Sequence, residues 1–147
     1  MTTGTATSSV AKHYAIKRIE DMESLFHGAF RRAGAELGVE SFGMQVFDLP
    51  ADSLDHPEHD HTHDGQEEVY VVLSGSAEIV VDGERVPLDP DRLVRVTAQG
   101  ARKVVAGPDG VRMLAIGGTP GKVYERPGDF ELGAPDPTAA ASRDGER

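Results

Sequence analysis

HPEHDHTHDGQEEVYVVLSG, residues 56–75, holds four of the six histidines of the chain and runs on into a series of β-forming residues. Valine and tyrosine are typical of strands, and Gly75, which ends the run, is interpreted as a turn residue. Two adjacent glutamates, Glu67 and Glu68, stand between the histidines and the apolar run. The stretch therefore predicts a polar cluster at the start of a strand.

The sequence after Gly38 reads as short strands separated by turns. Residues 41–49 alternate well enough for a strand, which Pro50 ends. Asp82-Gly83 suits a tight hairpin turn, because glycine tolerates a positive φ. Such turn signals recur about every 8–12 residues, which is typical of an all-β barrel or sandwich.

The two ends of the chain differ from this pattern. We predict a flexible tail over residues 1–12, a single domain over residues 13–123 and a disordered tail over residues 124–147, which have little to bury. Within the domain, residues 16–37 form a helical segment, because apolar residues recur near the helical period. The amphipathic helix itself is expected around residues 21–31.

Composition excludes several classes of function. With 147 residues the chain is long enough for one domain. Its 25 acidic and 15 basic residues give a formal charge of -10, which disfavours nucleic acid and anionic membranes as partners. Without cysteine, thiolate metal sites and cysteine nucleophiles are excluded. No secretion signal or membrane-spanning run is present, so we expect a cytoplasmic protein.

The strand that follows the glutamates is apolar on both faces. Tyr70 and Val72 fall on one face, and Val69, Val71 and Leu73 fall on the other. A strand with one solvated face would alternate between apolar and polar residues. Both faces must therefore be covered, either by the N-terminal segment or by a second subunit, and we predict a homodimer.

The spacing of the histidines suits a metal ion. His59, His61 and His63 lie two residues apart, so in an extended chain their side chains share one face, about 6–7 Å apart. Two imidazoles at that distance can converge on one ion with bonds of about 2.0–2.2 Å. A carboxylate from Glu67 or Glu68 would complete a face suited to Fe, Mn, Ni or Zn, with positions open for a ligand.

HTHDGQEEVYVVLSG also resembles the first motif of the cupins, H-x-H, four residues, E, six residues, G. His61, His63, Glu68 and Gly75 fall on these positions. The resemblance covers residues 41–117 as a barrel core. It implies a small single-domain cupin of the conserved-barrel type, an all-β double-stranded β-helix (jelly-roll barrel) with a short N-terminal helical segment, commonly dimeric.

DRLVRVTAQGARKVVAG, residues 91–107, resembles the second cupin motif, G, five residues, P-x-G, two residues, H. Aligned on Gly100, Ala98 stands in place of the proline and Lys103 in place of the histidine that is the family's fourth metal ligand. Lysine is ordinarily protonated, and an ammonium beside a dication is repulsive. The departure puts the fourth ligand in doubt.

Three hypotheses follow for this site. In the first, His61, His63 and Glu68 alone bind the metal. In the second, His59 supplies the third imidazole, with His59 and His61 as the working pair. In the third, no metal is bound, and Lys103 pairs with Glu68 or contacts an anionic ligand.

The predicted function is a barrel-interior site that binds a divalent metal and acts on or senses a small organic molecule. If the protein is an enzyme, the resemblance implies dioxygenase-like or isomerase-like chemistry, with the catalytic residues unknown. The alternative is a non-catalytic, metal-free ligand-binding cupin. Lys103 and Tyr70 are the predicted ligand-binding residues, and Tyr70 is interpreted as core packing rather than a catalytic acid. A one-residue register slip would exchange Glu68 for Glu67.

Overall fold

The computed structural model describes residues 12–138, and these form one antiparallel sheet that closes into a jelly-roll barrel. Its seven strands are β1 (Ser24–Leu25), β2 (Phe30–Arg31), β3 (Gly43–Leu49), β4 (Glu67–Val81), β5 (Glu84–Leu88), β6 (Leu93–Val96) and β7 (Arg102–Gly118). One short α-helix, α1 (Ala33–Leu37), and two 3₁₀ turns, Ile19–Asp21 and Gly128–Phe130, accompany them. The predicted fold class, with its short N-terminal helical segment, is confirmed.

The two long strands, β4 and β7, build the barrel. They pair antiparallel from Glu67 opposite Gly118 to Val81 opposite Arg102. β3 pairs with the second half of β7, while β6 and β5 pair with the first and second halves of β4. Their inner faces carry the main core, whose least exposed members are Tyr70, Ile79, Val104 and Met113. The site residues at the start of β4 and of β7 are therefore fixed on one rigid pair of strands.

Gly75 lies inside β4 and not in a turn, so its interpretation as a turn residue is wrong. Its φ is +79°, in a register break between Gly75 and Ala77. A Cβ at this position would lie 2.1 Å from the carbonyl oxygen of Gly110 on β7. Glycine is needed here because the two backbones approach each other closely.

The amphipathic helix predicted around residues 21–31 is wrong. This segment is the β1–β2 hairpin, in which Leu25 lies opposite Phe30. Phe26, His27 and Gly28 have φ values of 54°, 58° and 92°, a left-handed conformation that no α-helix contains. The apolar residues that suggested a helical period instead become a cross-strand pair.

The C-terminal segment packs against the barrel as far as residue 138, so the predicted disordered tail is wrong for residues 124–138. The Phe130 ring lies 5.8 Å from the Phe30 ring. The buried Arg32 side chain donates hydrogen bonds of 3.0 Å from Nε to the Asp129 carbonyl and from Nη2 to the Ala134 carbonyl. The rest of the predicted tail and residues 1–11 lie outside the described part of the chain.

The cytoplasmic location and the assembly of the domain into a homodimer stay predictions. No helix within residues 12–138 is long and apolar enough to cross a membrane. On the outer face of the sheet, Leu93 lies opposite Val71 on β4 and is 71% exposed. That face is open in the single chain, and the homodimer stays a prediction.

Candidate functional site

Backbone pairing holds the histidine loop against the start of β7. His59 and Arg102 exchange two backbone hydrogen bonds, of 3.0 and 2.8 Å. The His61 N–H donates to the Ala98 carbonyl at 2.9 Å, and this anchors the loop a second time. Glu68 lies at the start of β4, opposite Val96 of β6, and the Ala98 anchor follows Val96 by two residues, so the loop has a fixed position relative to Glu68.

His59, His61 and Glu68 come together inside the barrel. One ligand atom from each residue lies within 4.8 Å of the other two. Glu68 Oε1 is 3.4 Å from His61 Nε2 and 4.0 Å from His59 Nε2. Bonds of about 2.0–2.2 Å to one ion would require these atoms to lie a little closer, which small side-chain rotations supply.

The two histidines of this trio are oriented so that Nε2 of each carries a lone pair. His59 Nδ1 lies 3.0 Å from the Pro57 carbonyl, which only accepts, so Nδ1 carries the hydrogen. His61 Nδ1 lies 3.1 Å from the Asp64 carboxylate. Metal-binding histidines ordinarily donate their other N–H to such oxygens. His61 Nε2 is buried without a hydrogen bond. The trio therefore fits a divalent ion.

The other two histidines of the loop differ from this pair. His63 is 73% exposed, and with His61 and Asp64 it forms a second, more exposed group of close ligand atoms. His56 is buried, and its Nδ1 accepts a hydrogen bond from the Val104 N–H. The structure thus brings the alternate ligand His59 to Glu68 in place of His63.

Only one of the two adjacent glutamates points inward. Glu68 lies within the trio, whereas the Glu67 carboxylate forms a surface ion pair with Arg95 at 2.7 Å. Successive side chains of a strand point to opposite faces, so only one of the pair can reach the interior. The alternate Glu67 is excluded from the trio by this register.

The cation beside Glu68 is Arg102, not the predicted Lys103. The Arg102 side chain is fully buried, with Nη1 3.7 Å from Glu68 Oε1. Lys103 pairs with Val80 and points to the opposite face of β7. The inward position of this strand is therefore residue 102, one residue before the position that the alignment on Gly100 indicated. Alternation back from the buried Val104 would have identified Arg102 as the inward residue.

Arg102 is incompletely paired for a buried cation. Its Nη2 donates to the Thr97 carbonyl at 2.7 Å. Its Nε and Nη1 are buried and make no hydrogen bond. Unpaired donors of a buried charge are costly, so this guanidinium has unused hydrogen-bonding capacity next to Glu68.

Tyr70 supports the trio from the core. It is 1% exposed, and its hydroxyl donates to Glu68 Oε1 at 2.5 Å. Burial and the Glu68 carboxylate raise the pKa of Tyr70, so the hydroxyl stays protonated and keeps donating. The interpretation of Tyr70 as core packing is consistent with this position, and its contact with a ligand stays a prediction.

Charge in the trio favours a cation. Burial raises the pKa of the Glu68 carboxyl, but the His61 imidazole, the Tyr70 hydroxyl and Arg102 outweigh it and leave the pKa below its ordinary value. Glu68, despite opposing burial, raises the pKa of His61, and Asp64 adds to the effect. The carboxylate is ionised at neutral pH, and a proton on His61 competes with a metal ion for Nε2.

A cavity of about 380 Å³ opens onto the trio. Gln45 and Phe47 from β3 and Ala115 and Gly117 from β7 form its walls. The Gln45 amide oxygen is buried and makes no hydrogen bond. The volume lies within the range of about 300–1,000 Å³ that is usual for small-molecule sites.

Because His56 is buried, we expect the free energy of unfolding to fall in acid. Burial and the neighbouring His59 lower the pKa of His56 from 6.5 to about 4. His56 binds a proton near pH 6.5 in the unfolded chain but only near pH 4 in the folded protein. Its contribution to the free energy of unfolding is therefore complete above pH 6.5 and is lost as the pH falls towards 4. The loss amounts to about 3 kcal/mol.

The measurement compares urea unfolding of the metal-free protein and His56→Asn at pH 7 and pH 4 (roughly the ends of the titration). Asparagine keeps an acceptor for the Val104 N–H but does not titrate. The wild type should lose more stability than the variant over this range. Equal losses would show that other groups account for the acid sensitivity.

Comparison with known proteins shows which family the chain belongs to. A family model described as "Cupin domain" matches residues 45–117. The chain belongs to the cupin family. The matched segment begins in β3 and ends in β7, so it contains Glu68, Arg102 and both histidines of the trio. The predicted resemblance to the cupins is confirmed.

Solved cupin structures agree with the fold. A cupin protein from Bacteroides fragilis is 23% identical, with a TM-score of 0.62, over 79% of this chain and 92% of that one. A sugar phosphate isomerase of the cupin superfamily from Silicibacter pomeroyi is 18% identical, with a TM-score of 0.51, over 60% of this chain and 57% of that one. At these identities the likeness shows the fold alone. Among curated proteins, none matches the sequence significantly.

Proposed function

We propose that this cupin binds one divalent metal ion through His59, His61 and Glu68, and that the site takes a small anionic organic molecule. The observation that carries the proposal is the pair of imidazoles whose Nδ1 atoms are held by oxygens and whose Nε2 atoms face an ionised carboxylate. Two imidazoles and one carboxylate suit Fe, Mn, Ni or Zn. His59 here takes the place that the sequence prediction gave to His63.

A bound ion would supply Lewis acidity and open coordination positions. The chain supplies the rest of the site. Asp64 and the Pro57 carbonyl fix the two imidazole rings, and the Tyr70 hydroxyl holds the Glu68 carboxylate in place. Supports of this kind keep the ligand atoms in position before an ion arrives.

The class of ligand follows from the unpaired groups around the cavity. Arg102 Nε and Nη1 are unpaired donors buried behind Glu68, outside the cavity lining, and would favour a carboxylate or phosphate group that reaches past Glu68. The Gln45 amide oxygen is a buried acceptor, which favours a hydroxyl group on the same molecule. We therefore propose a small hydroxylated organic acid or phosphate. Isomerase-like or dioxygenase-like chemistry on it would be the catalytic form of this proposal.

A second candidate is a metal-free ligand-binding cupin. The observation that favours it is the 3.7 Å distance from Arg102 Nη1 to Glu68 Oε1, because the guanidinium already offsets part of the charge that a metal would meet. In this form Arg102 has the role that the sequence prediction gave to Lys103. The two candidates differ in metal content, which is directly measurable.

The test is elemental analysis of protein purified without a histidine tag. We expect about one divalent ion per chain, and an affinity more than about 100-fold weaker in His59→Ala and in His61→Ala, because each loses a direct ligand. His63→Ala is the matched control, since this exposed side chain lies outside the trio.

Two results would contradict the proposal. Loss of the ion in His63→Ala but not in His59→Ala would move the site to the exposed group of His61, His63 and Asp64. Absence of any ion, with no thermal shift on adding Fe, Mn, Ni or Zn, would favour the metal-free candidate.

A further inference from the structure

A second cavity, of about 510 Å³, lies beneath the β1–β2 hairpin. Its lining includes His56 and four phenylalanines: Phe26, Phe30, Phe47 and Phe130. Three of these, Phe30, Phe47 and Phe130, also line the cavity of the proposed metal site. The cavity is partly open to solvent at the exposed Phe26 ring, so it is a cleft and not an enclosed packing void. It has the size and the apolar walls of a ligand site.

His56 places one polar group in this apolar cavity. The residue is only 5% exposed, and its Nδ1 accepts a hydrogen bond from the Val104 N–H at 3.2 Å. That bond fixes the tautomer, because an accepting Nδ1 leaves the hydrogen of the neutral ring on Nε2. Within residues 12–138, no group accepts a hydrogen bond from Nε2. Nε2 keeps some accessible surface, unlike the fully buried unpaired Nε2 of His61, so an acceptor in the cavity can reach its hydrogen.

The hairpin above the cavity is strained. Phe26 and His27 both have positive φ, which is unfavourable for residues other than glycine. This conformation sets the Phe26 ring edge-on against Phe30, with 5.8 Å between the ring centroids and an angle of 89°. Phe26 nevertheless remains 41% exposed. The strain therefore positions an aromatic ring at the rim of the cavity and does not bury it in the core.

The charges around the second cavity disfavour an anionic ligand. Its described lining contains the Asp55 carboxylate and no lysine or arginine. An anion would lose its hydration there without gaining a cationic partner. Arg102 lies 3.7 Å from Glu68 and lines neither this cavity nor the one that opens onto the trio.

We propose that this second cavity binds a neutral molecule with an aromatic body and one carbonyl oxygen. The ring would pack among the phenylalanines while the oxygen accepts the hydrogen of His56 Nε2. This site goes beyond the proposed metal-dependent function and does not require a metal ion.

The test uses three probes of similar size in NMR titrations: acetophenone, ethylbenzene and benzoate. Acetophenone should bind saturably, with intermolecular NOEs to the Phe47 and Phe130 rings. Ethylbenzene, which lacks the acceptor, should bind about five-fold more weakly, the effect of one net hydrogen bond. Benzoate should bind more weakly still. Zinc-loaded and metal-free protein should give the same affinities, so the result is independent of the trio.

Three variants complete the experiment. His56→Asn keeps the acceptor for the Val104 N–H but lacks the donor, so it should bind acetophenone and ethylbenzene equally. Ala29→Leu places a larger side chain in the lining and should abolish the binding of both probes. Leu93→Ala, at an exposed apolar residue outside the cavity, should change the affinity for neither probe. If Ala29→Leu fails to fold, the NOEs of the wild-type protein still show whether acetophenone binds in this cavity.

The proposal is overturned if acetophenone gives no NOEs to these rings, or if the wild type binds ethylbenzene as tightly as acetophenone. It is also overturned if binding appears only after residues 139–147 are deleted, because the chain itself would then be the occupant.

Discussion

Gly75→Ala should destabilise the protein by about 3 kcal/mol or more, enough to unfold a marginally stable domain. A Cβ at residue 75 would lie 2.1 Å from the Gly110 carbonyl oxygen and 3.1 Å from the Val111 Cα. Both contacts are with backbone, which cannot rotate away as a side chain can. The residue also has a φ of +79°, which is unfavourable for alanine. Urea or thermal unfolding of the two proteins measures the difference.

Gly83→Ala is the matched control for this effect. Gly83 has a similar φ, of +85°, but a Cβ there would meet nothing within 4 Å. This variant should lose only the cost of the left-handed conformation, about 1–2 kcal/mol. The difference between the variants isolates the close approach of β4 and β7. Equal losses would show that backbone conformation alone explains the need for glycine at residue 75.

Local patterns were sufficient to predict the barrel. The turn at Asp82-Gly83 lies between β4 and β5, with φ values of 50° and 85°, as the dipeptide indicated. The strand over residues 41–49 was predicted within two residues of the observed β3. Turn chemistry and alternation act between neighbouring residues, so they can be recognised without knowledge of the folded chain.

Elements fixed by distant contacts were predicted wrongly. Phe26 and Phe30, four residues apart, fit a helical period, but the structure pairs Phe30 with Leu25, and the left-handed Phe26 has no sequence signal. The ordered C-terminal segment depends on Arg32, whose Nε donates to a carbonyl 97 residues away. Contacts at such separation are a property of the assembled barrel and not of either segment alone.

The candidate site was predicted in part for the same reason. Motif spacing selected His61 and Glu68, which the structure places together. The choice of His59 over His63 depends on the path of the loop, which the backbone pairing of His59 with Arg102 fixes. The exchange of Lys103 for Arg102 is a one-residue register error, and in a strand such an error reverses the direction of the side chain.

Arg102→Met should destabilise the metal-free protein by about 3–5 kcal/mol, because it leaves the buried Glu68 carboxylate without its cation. Methionine replaces most of the apolar stem of arginine, so packing changes little. Arg95→Met is the matched control, since Arg95 pairs with Glu67 at the surface, with exposed fractions of 62% and 39%. Its loss should be at most about 1 kcal/mol. Urea unfolding in the presence of a chelator compares the two variants.

A divalent ion should restore much of what Arg102→Met loses. A ligand that binds only the folded state at 100 times its dissociation constant adds about 2.7 kcal/mol. The gain from zinc should be larger in Arg102→Met than in the wild type, because Arg102 Nη1 lies 3.7 Å from Glu68 Oε1 and would repel an ion bound there. Adding His61→Ala should remove the gain. If zinc stabilises Arg102→Met no more than Arg95→Met, the guanidinium does not oppose the ion, and its unpaired donors serve the ligand alone.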